Sequence, residues 1–353
     1  MKTNSWLKWA SQMLLFSLIA VVTQIAFIQE SVAAQAQKMK IALVLDKGGK
    51  DDKSFNSAAY QGVMRVKREM NSFVKYVEAT DDNAFEALLR AFSQKKTFDL
   101  VISIGVSQVD SVKKVAALFP DQKFVIVDGI VDAPNVRSLV FQEHEGSYLV
   151  GAIAGLTASP DSSGQIKVGF IGGMDIPLIR RFELGFAAGA EAEAKRNHHR
   201  IKVISNYIGI TADSWNNPAK AKELAMAQYD SGVQVIFSAA GASNSGLFDA
   251  AEEKKKFAIG VDSNQNWVKP GRILTSMVKR VDEAVFQTCR DVSEAKFKGG
   301  AVHYGLADQG VDYTLDEYNR SLLTPAVVAR VEEIKKEIIS GKLQVPDYYK
   351  KRK

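Results

Sequence analysis

From residue 41 onward the chain alternates short apolar runs with amphipathic stretches, and it does so in two successive series. That alternation predicts βαβ units and parallel sheets, because parallel strands buried on both faces read as nearly continuous apolar runs. The first series places strands at residues 41–46, 73–79, 100–105, 124–128 and 136–141. Between them, Phe85, Leu88, Leu89 and Phe92 recur at helical spacing, and the stretch 109–119 stops at Pro120. The second series opens with a close-packing helix of small residues at 146–157. Strands follow at 168–172, 202–208, 233–239 and 257–261, with helices at 176–194, 218–230 and 245–255. After Asp262 come a strand at 273–278, a helix at 281–297, an extended stretch at 302–313 and a late helix at 325–339.

Two α/β series followed by leftover elements imply two lobes that share the tail. The expected division is residues 39–142 plus 265–298 in lobe 1, and 143–264 plus 299–353 in lobe 2. The chain would cross between lobes near 142–145, 264–267 and 299–303. Several crossings make a hinge, and hinge closure around a ligand is a known switching mode.

Ahead of the lobes, Lys2 and Lys8 precede a mostly apolar run at 13–28, closed by small residues at Val32-Ala33-Ala34 or Ala34-Gln35-Ala36. This reads as a secretory signal peptide over residues 1–34, the alternative being an uncleaved membrane anchor. The only cysteine, Cys289, lies on an apolar helical face and reads as an inert buried thiol. The net charge of +6 gathers in patches such as Lys254-Lys255-Lys256, which read as solvated surface. With no basic stripe interleaved with aromatics, nucleic acid is not an expected partner.

Open α/β sheets bind ligands at the carboxyl ends of their strands. At such an end, the stretch 40–56 delivers a carboxylate at Asp46, a ring at Phe55 and an amide at Asn56. Each residue also has a plainer reading. Phe55 suits a helix core, and Asp46 and Asp128 suit helix caps. Trp215 suits packing ahead of Pro218, Lys279 suits solvent, and Met174 and Phe182 suit packing. Glu143-His144-Glu145 reads as a polar crossing, since adjacent residues on an extended segment point in alternating directions. Gly172-Gly173 is a weak phosphate-loop signal, without Gly-x-Gly-x-x-Gly or Gly-Lys-Ser/Thr. Neither a metal nor a cofactor is expected, and no base–nucleophile pair is visible.

Several stretches carry a resemblance through their order and spacing. They are Asp46-Lys-Gly-Gly-Lys-Asp-Asp-Lys-Ser-Phe-Asn56, Phe124-Val-Ile-Val-Asp128, Glu145-Gly-Ser-Tyr-Leu-Val-Gly-Ala-Ile-Ala-Gly155 and Val168-Gly-Phe-Ile-Gly-Gly-Met-Asp-Ile-Pro177. Arg181-Phe-Glu-Leu-Gly-Phe-Ala-Ala-Gly189, Asn217-Pro-Ala-Lys-Ala-Lys222, Ile259-Gly-Val-Asp262 and Thr275-Ser-Met-Val-Lys279 complete the set. With these, nearly the whole chain beyond the leader resembles the basic membrane protein family of exported substrate-binding proteins, of the purine nucleoside receptor type. The resemblance implies an α/β type I periplasmic-binding fold, with two Rossmann-like lobes of parallel sheet joined by a multi-crossing hinge. It implies a base held between Phe55 and Trp215, the latter standing where the family usually has Phe. Asp46, Asn56 and Asp128 match polar contacts, Asp262 and Lys279 match the pair used toward the sugar, and the loop at Gly241 faces the base or ribose. The implied ligand is guanosine, adenosine or inosine, and the implied partner is an ABC-type permease. A monomer is expected. The family's lipid-anchoring cysteine is absent, which implies a freely soluble periplasmic form. The other functions considered are a sensor of a sugar or another small metabolite and, from a different class, a nucleoside hydrolase or phosphorylase.

Overall fold

The computed structural model describes residues 38–79 and 83–350, so the expected signal peptide lies outside the described residues. In chain order the strands are β1 (Lys40–Leu45), β2 (Phe73–Glu78), β3 (Leu100–Ile104), β4 (Phe124–Val127), β5 (Val136–Phe141) and β6 (Gln165–Met174). They continue with β7 (Arg200–Gly209), β8 (Val235–Ala239), β9 (Phe257–Asp262), β10 (Ile273–Lys279), β11 (Gly300–Tyr304) and β12 (Val311–Tyr313). The first sheet runs β11-β5-β4-β3-β1-β2, with every neighbouring pair parallel. The second runs β12-β10-β9-β8-β6-β7 and is parallel except for β12, which lies antiparallel to β10.

The apolar runs read from the sequence are the central strands. Ile41 to Leu45 in β1 are fully buried, as are Leu100 to Ile102 in β3 and Phe124 to Val127 in β4. Helix Ala84–Gln94 sets Phe85, Leu89 and Phe92 against Ala42, Val44 and Val101. In the second lobe, helices Pro218–Asp230 and Asn244–Lys254 bring Ala225, Tyr229, Leu247 and Phe248 onto Ile236 and Ala258. A fully buried side chain of this size stabilises by about 1.5–3 kcal/mol. The two lobes are the expected architecture.

The distribution of the tail differs from the expected one. Strand β10 does not return to the first lobe; it pairs with β9 in the second sheet. Helix Val281–Ser293 returns to the first lobe instead, where Arg65 bonds Glu283 at 2.7 Å and lies 3.7 Å from the Phe286 ring centroid. Strand β11 then pairs with β5, while β12 goes back to the second sheet. The extended stretch expected at 302–313 is thus two strands in two different sheets. The crossings fall at Gln142, at Arg280 and across residues 305–310, so only the first lies where the sequence placed it. Period-two patterning marks a strand but does not say which sheet edge accepts it.

The small-residue helix Glu143–Thr157 packs backbone to backbone against helix Pro177–Arg196. A Cβ on Gly151 would stand 2.1 Å from the Phe186 carbonyl oxygen, and one on Gly189 would stand 2.1 Å from that of Tyr148. Gly151→Ala should therefore destabilise the protein by about 1–3 kcal/mol. The clash with a carbonyl that cannot rotate away outweighs the ~1 kcal/mol that alanine gains in a helix. A denaturant midpoint equal to or above that of the unmodified protein would contradict this packing.

Candidate functional site

Asp46 follows the last residue of β1 and enters a turn held by its own side chains. Gly48 and Gly49 take positive φ angles of 107° and 68° there. The Asp52 carboxylate then accepts from the amides of Ser54 at 2.8 Å, Asn56 at 2.9 Å and Ser57 at 2.9 Å. It thereby caps helix Phe55–Glu69, whose N-cap Ser54 makes no side-chain cap of its own. Asn56 locks the turn. Its Oδ1 accepts from the Asp46 amide at 2.8 Å, and its Nδ2 donates to Asp52 at 3.0 Å and to the Lys47 carbonyl at 3.3 Å. The Asp46 carboxylate accepts from the Ser107 hydroxyl at 3.0 Å. Gly105, after β3, is without an alternative: a Cβ there would lie 2.2 Å from Asp46 Oδ2.

The second lobe contributes from the same kind of position. Asp262 ends β9, Lys279 ends β10 and Gly241 follows β8. Trp215 sits on the short 3-10 turn Ala212–Asn216, its indole so close over Gly173 that a Cβ there would fall 2.1 Å from Cζ3. Asp46, Phe55, Asn56, Asp128, Trp215, Gly241, Asp262 and Lys279 all line one crevice of about 570 Å³, partly open to solvent. Leu178, Ile179 and Phe182 add an apolar wall.

Lys279 is the electrostatic centre. Its ammonium is buried, 2.5 Å from Asp128 Oδ2 and 3.1 Å from Glu143 Oε1. The ring centroids of Phe55, Phe141 and Phe182 stand 5.1, 5.2 and 5.6 Å from it. Glu143 also accepts from Arg181 at 2.6 Å, and Arg181 is held in turn by Asp347 at 2.9 Å. Arg181 Nη2 lies 2.9 Å from His144 Nδ1. Burial and the Arg181 charge push the imidazole down to about 4, so it is the neutral acceptor.

Four carboxylates (Asp128, Glu143, Asp262, Asp347) thus face two cations, Lys279 and Arg181. Burial pushes Asp262 up to about 6, against the pull of Lys279. Burial likewise pushes Asp128 up to about 7, opposed by Lys279 and assisted by Glu143. Burial alone would lower Lys279, but Asp128, Glu143 and Asp262 outweigh it and hold the ammonium above its ordinary value. Asp128 Oδ1 is buried without a hydrogen-bond partner among the described residues. A ligand N–H or O–H donor would satisfy it.

Several of these residues escaped the sequence reading. Phe182 was expected only to pack; it packs near Phe237 and also walls the crevice. Glu143 was expected on an extended polar crossing; it instead opens helix Glu143–Thr157 and is 1% exposed between Lys279 and Arg181. Its signal was the one that found Asp46 and Asp128: it closely follows the end of a buried strand. Asp52 and Ser54, which shape the turn, had no signal apart from the motif. Cys289 is buried, which pushes its thiol up and away from reactivity. Among the described residues, no helix is long and apolar enough to cross a membrane, and no group of three or more His, Cys, Asp or Glu could hold a metal ion.

A family profile described as "ABC transporter substrate-binding protein PnrA-like" matches residues 38–348. An uncharacterised lipoprotein of Pyrococcus abyssi is 32% identical, over 79% of this chain and 70% of its own length. A Lactococcus lactis protein named ABC transporter nucleoside-binding protein BmpA is 32% identical, over 87% of this chain and 89% of its own. The crystal structure of an ABC transporter solute-binding protein from Aeropyrum pernix K1 superposes with a TM-score of 0.81 at 28% identity, covering 87% of this chain and 94% of that one.

The ion network yields a stability test. Lys279→Met leaves Asp128 and Glu143 buried without their cation, a loss of about 3–5 kcal/mol. The folded-state pKa of Asp128, already raised by burial, then rises further above the unfolded one. Between those values the folded state binds more protons, so the variant's stability falls as pH rises. Denaturant melts should show a larger deficit at about pH 8 than at about pH 5. A deficit independent of pH would contradict the charge assignment.

Proposed function

This chain belongs to the PnrA-like family of ABC transporter substrate-binding proteins, and on that premise we propose that it captures a purine nucleoside between its lobes. In this reading the protein is exported, closes on the nucleoside and delivers it to an ABC-type permease without chemical turnover. One observation supports this most: Phe55 from one lobe and Trp215 from the other line a single crevice whose polar groups are mainly carboxylates. The nucleoside-binding name of the Lactococcus lactis relative is consistent with it.

The chemistry matches in three respects. A purine offers two π-faces, and stacking on an aromatic ring contributes ~1–3 kcal/mol per base. A ribose offers hydroxyl donors, and a charged acceptor contributes about 1.5–3 kcal/mol per hydrogen bond. Asp262 and the unpartnered oxygen of Asp128 are such acceptors. A phosphate would face the excess of carboxylates over cations and be repelled, so the site favours nucleosides over nucleotides.

Calorimetry with inosine, guanosine and adenosine is the direct test, and inosine monophosphate should bind at least about a hundredfold more weakly than inosine. Phe55→Ala and Trp215→Ala should each weaken nucleoside binding by at least roughly tenfold. Binding of free ribose as tight as that of inosine would favour the sugar reading. Unchanged affinity in both ring variants would remove the stacking model.

Proton linkage gives an independent check. A hydroxyl donating to Asp262 binds its charged form, whose pKa in the free protein is raised to about 6. Nucleoside binding should therefore release protons, and affinity should rise from about pH 5 to about pH 8. Titrations in buffers of different ionisation enthalpy measure this release. Proton uptake over that range would place the ligand elsewhere.

A further inference from the structure

Away from the three crossings, the turn between β1 and helix Phe55–Glu69 carries a set of lobe-to-lobe contacts. Ser54 is at its centre and is fully buried. Its hydroxyl donates to Asp262 Oδ2 at 2.6 Å and approaches the Val261 carbonyl at 3.3 Å. Its own carbonyl accepts from the Ser263 hydroxyl at 3.0 Å. One residue earlier, the Lys53 carbonyl accepts from Gln265 Nε2 at 2.9 Å. The Lys53 ammonium lies 5.3 Å from the Trp267 ring centroid. Lys47 reaches Asp213 at 2.8 Å, but Asp213 is 78% exposed, so that pair contributes little.

Both sides of this contact are stiff. Asp52 holds the turn through the amides of Ser54, Asn56 and Ser57. On the facing lobe, Gln265 Oε1 accepts from the Val261 amide at 2.9 Å, and the Gln265 amide donates to Ser276 Oγ at 2.9 Å. Ser54 is not part of the crevice lining, whereas Asp262 is. The serine therefore touches the carboxylate from outside the crevice.

We infer that Ser54 is a positioning residue that aims the Asp262 carboxylate into the crevice and clasps the lobes shut. Ligand release then requires breaking the Ser54–Asp262 and Ser263–Ser54 hydrogen bonds as well as the ligand's own contacts. A donor to the charged carboxylate favours that form. Ser54 acts here in the same direction as Lys279, and against Asp52, Glu143 and Asp128, the other charged groups facing Asp262. Closure thus prepares the acceptor that the ligand uses.

The ligand-dependent part of this inference rests on the receptor reading, whereas the clasp between lobes does not. The test uses the full chain with Ser54→Ala and Ser263→Ala, neither of which lines the crevice. Stopped-flow dissociation of inosine should speed up on the order of tenfold in Ser54→Ala, as loss of one charge-assisted hydrogen bond implies. Ser263→Ala should show a smaller acceleration, with association rates close to the unmodified protein in both. The pH midpoint of inosine affinity should move upward in Ser54→Ala and stay in place in Ser263→Ala. Small-angle scattering without ligand should give a larger radius of gyration for Ser54→Ala than for the unmodified protein. An unchanged dissociation rate, or an unmoved midpoint, in a folded Ser54→Ala overturns the inference. If that variant does not fold, an unchanged rate in Ser263→Ala overturns it. If the unmodified protein fails to bind inosine, the receptor reading falls, and scattering decides alone: equal radii with and without the Ser54 hydroxyl end the clasp.

Discussion

The structure turns on one buried ammonium. Lys279 ends the strand that precedes the second crossing, Glu143 begins the helix after the first, and Asp128 directly follows a strand of the first sheet. One cation therefore ties together two of the chain passages between lobes and the floor of the crevice. A buried ion pair is not a cheap source of stability, because desolvating both charges can cost as much as their attraction returns. What it supplies here is geometry. The lobes meet at an ionic junction ringed by Phe55, Phe141 and Phe182.

The charge balance at that junction decides what the crevice accepts. With more carboxylates than cations, the site offers acceptors rather than donors, which suits hydroxyls and N–H edges and disfavours anions. The backbone reflects the same priority. Asp128 and Asp262 adopt left-handed φ angles of 66° and 64°, a region that non-glycine residues rarely enter. Aspartate tolerates it better than most. Both sit where a strand gives way to the ligand side of the sheet, so this conformation aims a carboxylate at the cost of local strain.

Most of the fold was legible because buried parallel strands leave an unmistakable imprint: Ile41 to Leu45 and Phe124 to Val127 read as strands and are strands. That four of the candidate residues would gather at one end of the sheets was legible for a related reason. Asp46, Asp128, Asp262 and Lys279 all stand at strand ends, and that position follows from the pattern alone before any motif is matched. The distribution of the tail was not legible. The stretches at β10 and β11 both read as extended, and only the hydrogen-bonding edge each one finds assigns it to a sheet. Glu143 was missed because a buried carboxylate depends on partners far along the chain, Lys279 and Arg181, that local spacing cannot reveal. Ser54 was missed for the same reason: Asp262, the group it contacts, lies some two hundred residues away.

The glycines at 172 and 173 show how a weak motif acquires a definite physical meaning. In sequence they resemble the start of a phosphate loop. In the fold they are sockets for rings. A Cβ at Gly172 would meet Tyr207 at 2.7 Å and Ile179 at 2.6 Å, and one at Gly173 would meet the Trp215 indole at 2.1 Å. The indole packs with its face against the backbone of β6. Glycine at 173 is thus part of the aromatic wall rather than of an anion cradle, and the crevice owes its width at that point to the missing side chain. A phosphate-binding loop would also need amide groups gathered at a helix start. Helix Pro177–Arg196, which follows, begins instead with a proline that has no N–H to offer.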